Sequence, residues 1–357
     1  MSSPPWLLPS SVPESKIMEH LRVRAGDCRP PFPVYEQLVD ALLSAHTPAA
    51  AATRDATVAH VLGTCAGYAY SDIETVATIM ARLGFESNSC ACIAQTVDVM
   101  FIFSTAYLVQ SRCGRVVILC YRGTEPTELL SWLGDADVGL DYFSLVRNDA
   151  RPLRVHAGFH RNVRATRWAV LDQLQLALQG RSLADPQQTL ESRLEALYVT
   201  GHSLGGAMAA LFALTLDSEG ADRAVAERLR AVYTFGQPLV VGGPLPPRAA
   251  QVGEILFRHV RPRDPVPALP PAAWGKLAHF GHEYRCADGR WEPAVVPTSQ
   301  LAGMKELPKS VLALIAPEKR RASMRYTIAE HAPHHYIAAL RPQDRVTEFG
   351  DQAPSAS

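Results

Sequence analysis

The chain has 357 residues, 47% of them hydrophobic, so it is long enough to bury the core of one large domain. Lys and Arg together number 35, and Asp and Glu also number 35, so the formal net charge is zero. This balance gives no electrostatic basis for binding nucleic acid or an anionic membrane.

The N-terminal residues and the cysteines bear on the compartment. Residues 1–13 have no basic start followed by an apolar run, so we expect no secretory signal. The seven cysteines are scattered and odd in number, which favours buried free thiols in a reducing compartment. We therefore predict a cytoplasmic protein, with export by another route as the alternative. Cys90 and Cys92 lack a matching second pair, so no zinc site is predicted.

Taken in chain order, the elements indicate an α/β fold. Residues 1–33 are rich in Pro and Ser and are expected to form an extended lead-in. Apolar periodicity predicts helices over residues 34–44, 73–83 and 160–179. Strands are predicted over residues 100–110, 115–121, 196–199, 231–235 and 255–260. Strands that alternate with helices favour a mostly parallel sheet flanked by helices, in one domain over residues 34–345 with a flexible tail over 346–357.

The most informative motif is a glycine-rich run between the predicted strand 196–199 and a helix-like run at 207–216, and it reads Gly201-His202-Ser203-Leu204-Gly205-Gly206. This pattern is typical of a G-x-S-x-G nucleophile elbow. Gly201 and Gly205 lack the Cβ that would clash in so sharp a turn. The turn presents the Ser203 hydroxyl and places the positive end of a helix beneath a developing oxyanion.

Residues 196–216 carry no charged side chain, and their length alone would suffice for a transmembrane helix. The glycines clustered near the start of this run argue against that. A buried strand that turns into a buried helix explains the run better, so no transmembrane segment is predicted.

A serine nucleophile needs a base to take its proton and an acid to orient that base. In the chain order of α/β-hydrolases the acid comes next and the histidine last. Asp264 closely follows a predicted strand and precedes a proline-rich loop, where such a carboxylate should project; a turn-capping role is the alternative. His331, His334 and His335 are all candidate bases, and the pattern alone does not choose among them. No other ligand set lies near them, so no metal is predicted.

An oxyanion hole needs hydrogen-bond donors aimed at the developing charge. The N–H of Leu204, directly after the serine, is one candidate. The second should come from a loop after an earlier strand, and the residues after 116–121 fit. Gly123 permits an unusual backbone angle there, and Thr124 offers both an N–H and a hydroxyl. An ordinary strand-ending turn is the alternative.

Taken together, these residues resemble the class 3 lipases, the fungal-lipase-like branch of the α/β-hydrolases. Seven segments are similar to the family's motifs, in order: YRGT (121–124), WLGDAD (132–137), VHAGF (155–159), GHSLGG (201–206), TFGQP (234–238), DPVPALPP (264–271) and GHEY (281–284). The resemblance implies an α/β-hydrolase fold with a lid over the serine.

The same resemblance implies roles for further residues. The family's Asp-His-Ser-x-x-x-Tyr is similar to EHAPHHY (330–336), which favours His331 as the base, whereas the placement in fungal members would favour His334. Asp135 would support the Thr124 loop, or cap a helix. The lid would lie at 138–154, with an ordinary surface loop as the alternative. A second cover, or cap insertion, is a candidate over residues 297–320.

These features predict a serine hydrolase that cleaves carboxylic esters, a triacylglycerol lipase or carboxylesterase. Ser203, Asp264 and His331 would form and clear an acyl-enzyme without metal or organic cofactor. The expected partner is an ester or lipid substrate, with peripheral contact to a lipid interface through the lid. Two alternatives stay open: a non-catalytic lipase-like binding or regulatory module, and an acyltransferase or phospholipase that uses the same triad.

Overall fold

The structure is a computed structural model that describes residues 19–47, 53–97, 102–124, 140–143, 152–216, 222–243, 245–270, 272, 276–300 and 328–352. Asp135 lies outside these residues. The candidate lid is described only at 140–143 and 152–154, and the candidate cap only up to residue 300.

The described strands are β1 (Glu19–Arg24), β2 (Ser89–Val97), β3 (Ile102–Gln110), β4 (Val116–Tyr121), β5 (Leu140–Phe143), β6 (Leu153–His156), β7 (Ala196–His202), β8 (Leu229–Phe235), β9 (Val241–Gly242), β10 (Leu256–Val260), β11 (His282–Ala287) and β12 (Arg290–Pro293). The described helices are α1 (Leu38–Ser44), α2 (Ala56–Tyr68), α3 (Ile73–Leu83), α4 (Ala157–Leu178), α5 (Leu204–Thr215), α6 (Arg223–Ala226), α7 (Pro247–Glu254) and α8 (Pro333–Leu340). Turns of 3-10 helix cover Val266–Ala268 and Ile328–His331.

The larger sheet has the strand order β1-β2-β3-β4-β7-β8-β10-β11-β12. Its centre, from β4 to β11, is parallel, and antiparallel pairs extend it at both ends. Every residue of β4, β7 and β10 is buried, as expected for parallel strands with both faces covered. The predicted α/β-hydrolase fold is confirmed. A smaller sheet joins β5, β6 and β9, and the described ends of the candidate lid lie in its first two strands.

Alternate residues of the central strands face two apolar layers. On β4, for example, Leu119 belongs to the layer that contains α4 and α5, whereas Ile118 belongs to the layer that contains α1, α2, α3 and α8. The seven cysteines are all free, and Cys65, Cys90 and Cys120 lie buried in the second layer. No helix in the described ranges is long and apolar enough to cross a membrane.

The first part of the chain differs from its prediction. The helix expected from residue 34 begins only at Leu38, because the N–H groups of Val34 and Tyr35 donate to carbonyl oxygens at the end of α3. Within the expected lead-in, residues 19–24 form β1, which pairs with β2. Helix α2 was not predicted, and Asp55 caps it by accepting from the N–H of Val58.

Candidate active site

Ser203 stands at the turn between β7 and α5, at the parallel centre of the sheet. Its backbone has φ 57° and ψ −129°, a strained conformation for a residue with a side chain. Its N–H donates to the carbonyl of Phe235 at 2.9 Å. A Cβ on Gly201 would overlap the Gly205 carbonyl, and one on Gly205 would overlap the Tyr121 carbonyl. The two glycines therefore allow β4, β7 and α5 to approach closely enough for the predicted elbow.

His331 and Asp264 form a buried pair beside this turn. The Nδ1 atom of His331 lies 2.8 Å from Oδ2 of Asp264, and their side chains are 2% and 0% exposed. The same Oδ2 accepts a hydrogen bond from the Tyr336 hydroxyl at 2.6 Å, and Oδ1 accepts one from the N–H of Val266 at 2.9 Å. The carboxylate is thus held by three donors, which fix its orientation.

Gly236 explains how acid and base reach the end of β8. Its φ of 59° favours glycine, and a Cβ there would lie 2.8 Å from both Asp264 Oδ2 and the His331 ring. The Nε2 atom of His331 and the Oγ atom of Ser203 are both buried and have no hydrogen-bond partner among the described residues. A hydrogen bond between a serine hydroxyl and its base often forms fully only when substrate is bound.

The structure distinguishes the three candidate histidines. His331 ends the 3-10 turn and faces Asp264, whereas His334 is exposed on α8 and its ring lies 4.2 Å from that of His335. Burial and the neighbouring His334 lower the pKa of His335. The arrangement therefore brings His331, rather than His334 or His335, to the predicted acid.

His202, directly before the serine, connects the elbow to His331. Its Nε2 lies 2.7 Å from the His331 carbonyl oxygen, and its Nδ1 lies 2.8 Å from the Tyr70 hydroxyl. Burial, with His331 nearby, lowers the pKa of His202 well below its usual range, so the ring is neutral. A neutral ring carries one N–H; since the carbonyl only accepts, Nε2–H donates to it and Nδ1 accepts from Tyr70.

The predicted oxyanion donors lie on either side of the same turn. Leu204 is the first residue of α5, where N–H groups have no acceptor within the helix. Thr124 is in the loop after β4, the parallel neighbour of β7. In that loop a Cβ on Gly123 would overlap the Tyr70 hydroxyl and lie 2.6 Å from the His202 carbonyl oxygen. The loop therefore packs against the elbow. Asp135 lies outside the described residues.

Two tyrosines at the site were not among the predicted site residues. Tyr336 is the final aromatic of the motif that contains His331, so the sequence contained a signal for it. Its pKa is raised well above the usual range by burial and by the adjacent Asp264 carboxylate, so its hydroxyl stays protonated and donates. Tyr70 follows α2, which the sequence pattern did not reveal, and no motif marks it.

The Gly-His-Glu-Tyr segment forms a buried ion pair with β10, the strand that leads into the loop of Asp264. Arg258 and Glu283 form a fully buried ion pair at 3.0 Å. Burial alone would raise the pKa of Glu283, but Arg258 and the hydrogen bonds from Thr298 and Arg285 outweigh it and lower the pKa. The side chain of Gln300 contacts the loop that follows Asp264, because its amide nitrogen donates to the carbonyl oxygen of Pro270.

An elbow serine followed in the chain by an aspartate and a histidine that meet at the carboxyl edge of parallel strands defines the α/β-hydrolase class. Residues 118–274 match the family described as lipase (class 3). This segment includes Ser203 and Asp264 and ends before His331.

Two relatives illustrate the match. Over 103 residues, 29% of this chain, it is 43% identical to the lipase of Rhizomucor miehei and covers 28% of that protein. Over 202 residues, 46% of this chain, it is 31% identical to triacylglycerol lipase OBL1 of Ricinus communis and covers 37% of it. The chain thus spans less than two fifths of these relatives. The matches confirm the predicted resemblance to the class 3, fungal-lipase-like family over residues 118–274.

Solved structures of two fungal lipases are also similar. The native Rhizomucor miehei lipase propeptide complex aligns at 19% identity with a TM-score of 0.49, covering 75% of this chain and 88% of that one. The lipase from Rhizopus microsporus var. chinensis aligns at 19% identity with a TM-score of 0.49, covering 91% and 92%. At these scores the fold assignment rests on the strand order and elbow of this chain.

Proposed function

We propose that this protein hydrolyses carboxylic esters with apolar acyl groups, such as acylglycerols, through an acyl-enzyme. The observation that carries the proposal is the buried His331–Asp264 pair beside a strained elbow serine. The Ser203 hydroxyl and the Nε2 atom of His331 are buried and have no partner among the described residues, as expected of reacting atoms that await a substrate. No cofactor is needed for this chemistry.

In the proposed reaction, Nε2 of His331 takes the proton of Ser203 as Oγ attacks the ester carbonyl. Asp264 holds Nδ1–H and so fixes the tautomer that leaves Nε2 free to accept. The N–H groups of Leu204 and Thr124 stabilise the tetrahedral oxyanion. The alcohol leaves with the proton from His331, and water then attacks the acyl-enzyme by the same route in reverse.

The surroundings of the pair suit this cycle. His202 is neutral, so no second full positive charge opposes the imidazolium that forms on His331. Tyr336 donates to Oδ2 and Val266 to Oδ1 of Asp264, which keeps its carboxylate directed at the base. Peripheral contact with a lipid interface through residues 138–154 is part of the proposal.

The test is hydrolysis of short- and long-chain p-nitrophenyl esters by the wild type, Ser203→Ala and His331→Ala, with His334→Ala as the matched control. We expect kcat to fall about 10³- to 10⁶-fold in the first two variants and to stay within about twofold in the third. Full activity in His331→Ala would move the base to another histidine. An inactive wild type, with lipid present, would favour the binding-module alternative, and ester products formed with an added alcohol would favour an acyltransferase.

A further inference from the structure

The loops that carry the acid and the base are also joined by a pair of charged side chains. Nε and Nη2 of Arg261 lie 2.8 and 2.6 Å from Oε2 of Glu330. The two side chains are 19% and 22% exposed, so water screens them only in part. Arg261 lies three residues before Asp264, and Glu330 directly precedes His331.

Arg261 makes further contacts to both loops. Its carbonyl accepts from the N–H of Asp264 at 3.1 Å, which closes the turn that carries the acid. Its own N–H donates to the Tyr336 hydroxyl at 3.2 Å, and its Nη1 donates to the His335 carbonyl at 3.3 Å. One residue therefore connects the acid turn to three positions around the base.

The base has no strand to hold it. His331 ends a four-residue 3-10 turn that lies outside both sheets. Besides Asp264, the contacts that fix it among the described residues include the hydrogen bond from His202 to its carbonyl, the His202 ring and the packing of α8 on α2. The residue before the histidine in the family motif is aspartate; here the longer Glu330 reaches Arg261.

We propose that Arg261 and Glu330 are positioning residues that set the geometry of the His331–Asp264 hydrogen bond; this rests on the proposed function. Neither touches the reacting atoms. The pair acts by fixing the acid turn against the base turn, and by placing two opposite charges beside the base whose effects cancel.

The charges around His331 can be assigned element by element. Asp264 faces it from the acid loop and His202 from the elbow, and Tyr336 on α8 donates to Asp264 behind it. Arg261 and Glu330 both lie in this neighbourhood, because Arg261 donates to the His335 carbonyl and Glu330 directly precedes His331 in the 3-10 turn. Removing one of the pair leaves the other charge uncompensated beside the imidazolium that the reaction forms.

The test uses the full chain with Arg261→Gln, Glu330→Gln and the charge-swapped double variant Arg261→Glu/Glu330→Arg. We expect kcat to fall about five- to thirtyfold in each single variant with KM within about twofold, and to recover substantially in the swap. The acidic limb of the pH profile of kcat/KM should move up by about half a pH unit in Arg261→Gln and down in Glu330→Gln. Shifts in the same direction, or none, overturn the proposal.

The control is Arg167→Gln, which breaks a pair of similar exposure, Arg167–Asp222 (13% and 10%), at the C-terminal end of α5, the end opposite to Ser203. It should lower the unfolding temperature without moving the pH profile. If Arg261→Gln behaves in the same way, the Arg261–Glu330 pair is only structural and the proposal is wrong.

A second readout does not depend on ester turnover. The low-field proton resonance of the His331 Nδ1–H bonded to Asp264, assigned by its loss in His331→Gln, should shift or broaden in Arg261→Gln and stay as in wild type in Arg167→Gln. An unchanged resonance overturns the positioning proposal. If the wild type is inactive on esters but the resonance still shifts in Arg261→Gln, the proposed hydrolysis is contradicted and the positioning proposal is not.

Discussion

The serine and the histidine of the proposed triad are held by different means. Ser203 is fixed by the backbone: two parallel strands, a helix and two glycines whose missing side chains let these elements meet. His331 stands on a short turn and is fixed by side chains, among them Asp264 and His202. Faults around the serine should therefore appear as lost stability, and faults around the histidine as lost activity in a folded protein.

The largest expected effect is on the backbone side of this comparison. Gly205→Ala places a Cβ on the Tyr121 carbonyl oxygen, and because the clashing atoms are backbone, no side-chain rotation can relieve the overlap. We expect the free energy of unfolding to fall by about 3 kcal/mol or more, measured by urea denaturation. Gly26→Ala is the control, because a Cβ there meets nothing within 4 Å. Equal stability of both variants would refute the backbone explanation.

The next effect is on the side-chain side. Tyr336→Phe keeps the ring but removes the hydroxyl that donates to Asp264 and accepts from the N–H of Arg261. We expect kcat/KM to fall about 10- to 100-fold while the protein stays folded, since a buried hydrogen bond to a charged group is worth about 1.5–3 kcal/mol. Tyr35→Phe removes another buried tyrosine hydroxyl, which contacts His60 and none of the three triad residues, and should cost stability alone. Similar kcat/KM in both variants would remove the distinction between the two regions.

The smallest effect per residue concerns pH. Burial lowers the pKa of His202, His259 and His279 well below the usual range, and that of His60 to about 4. Below about pH 6.5 these histidines bind protons in the unfolded chain but stay neutral in the folded chain. The free energy of unfolding therefore decreases as the pH falls from 7 towards 5. Each histidine contributes at most about 1.4 kcal/mol per pH unit.

A variant of His279 tests this loss of stability at acid pH without changing the His331–Asp264 pair. Its Nε2 lies 2.7 Å from the carbonyl oxygen of Pro267, which is three residues after Asp264 in the same loop. Urea denaturation at several pH values should show a shallower pH dependence of stability in His279→Gln than in wild type. An unchanged pH dependence of the free energy of unfolding would mean that His279 binds its proton as readily in the folded protein as in the unfolded chain.

The elbow turn and the position of Asp264 beside it were predictable because their signals are local. A run of six residues specifies the turn at Ser203, and Asp264 lies between a strand end and prolines. Which histidine meets Asp264 was not predictable from pattern, because three histidines fall within five residues and only tertiary contacts bring His331 to that carboxylate. Helix α2 was missed because all of its residues from Val58 to Ala66 are buried, which leaves no polar face to give a helical period.

Ser203 adopts a backbone conformation that glycine enters freely and that costs a serine about 1–3 kcal/mol. Replacing it with glycine would relieve that strain and delete the hydroxyl in the same step. At this one position, a substitution that raises the free energy of unfolding therefore removes the hydroxyl that the proposed reaction needs. A laboratory selection for heat resistance alone would favour variants that have discarded the nucleophile.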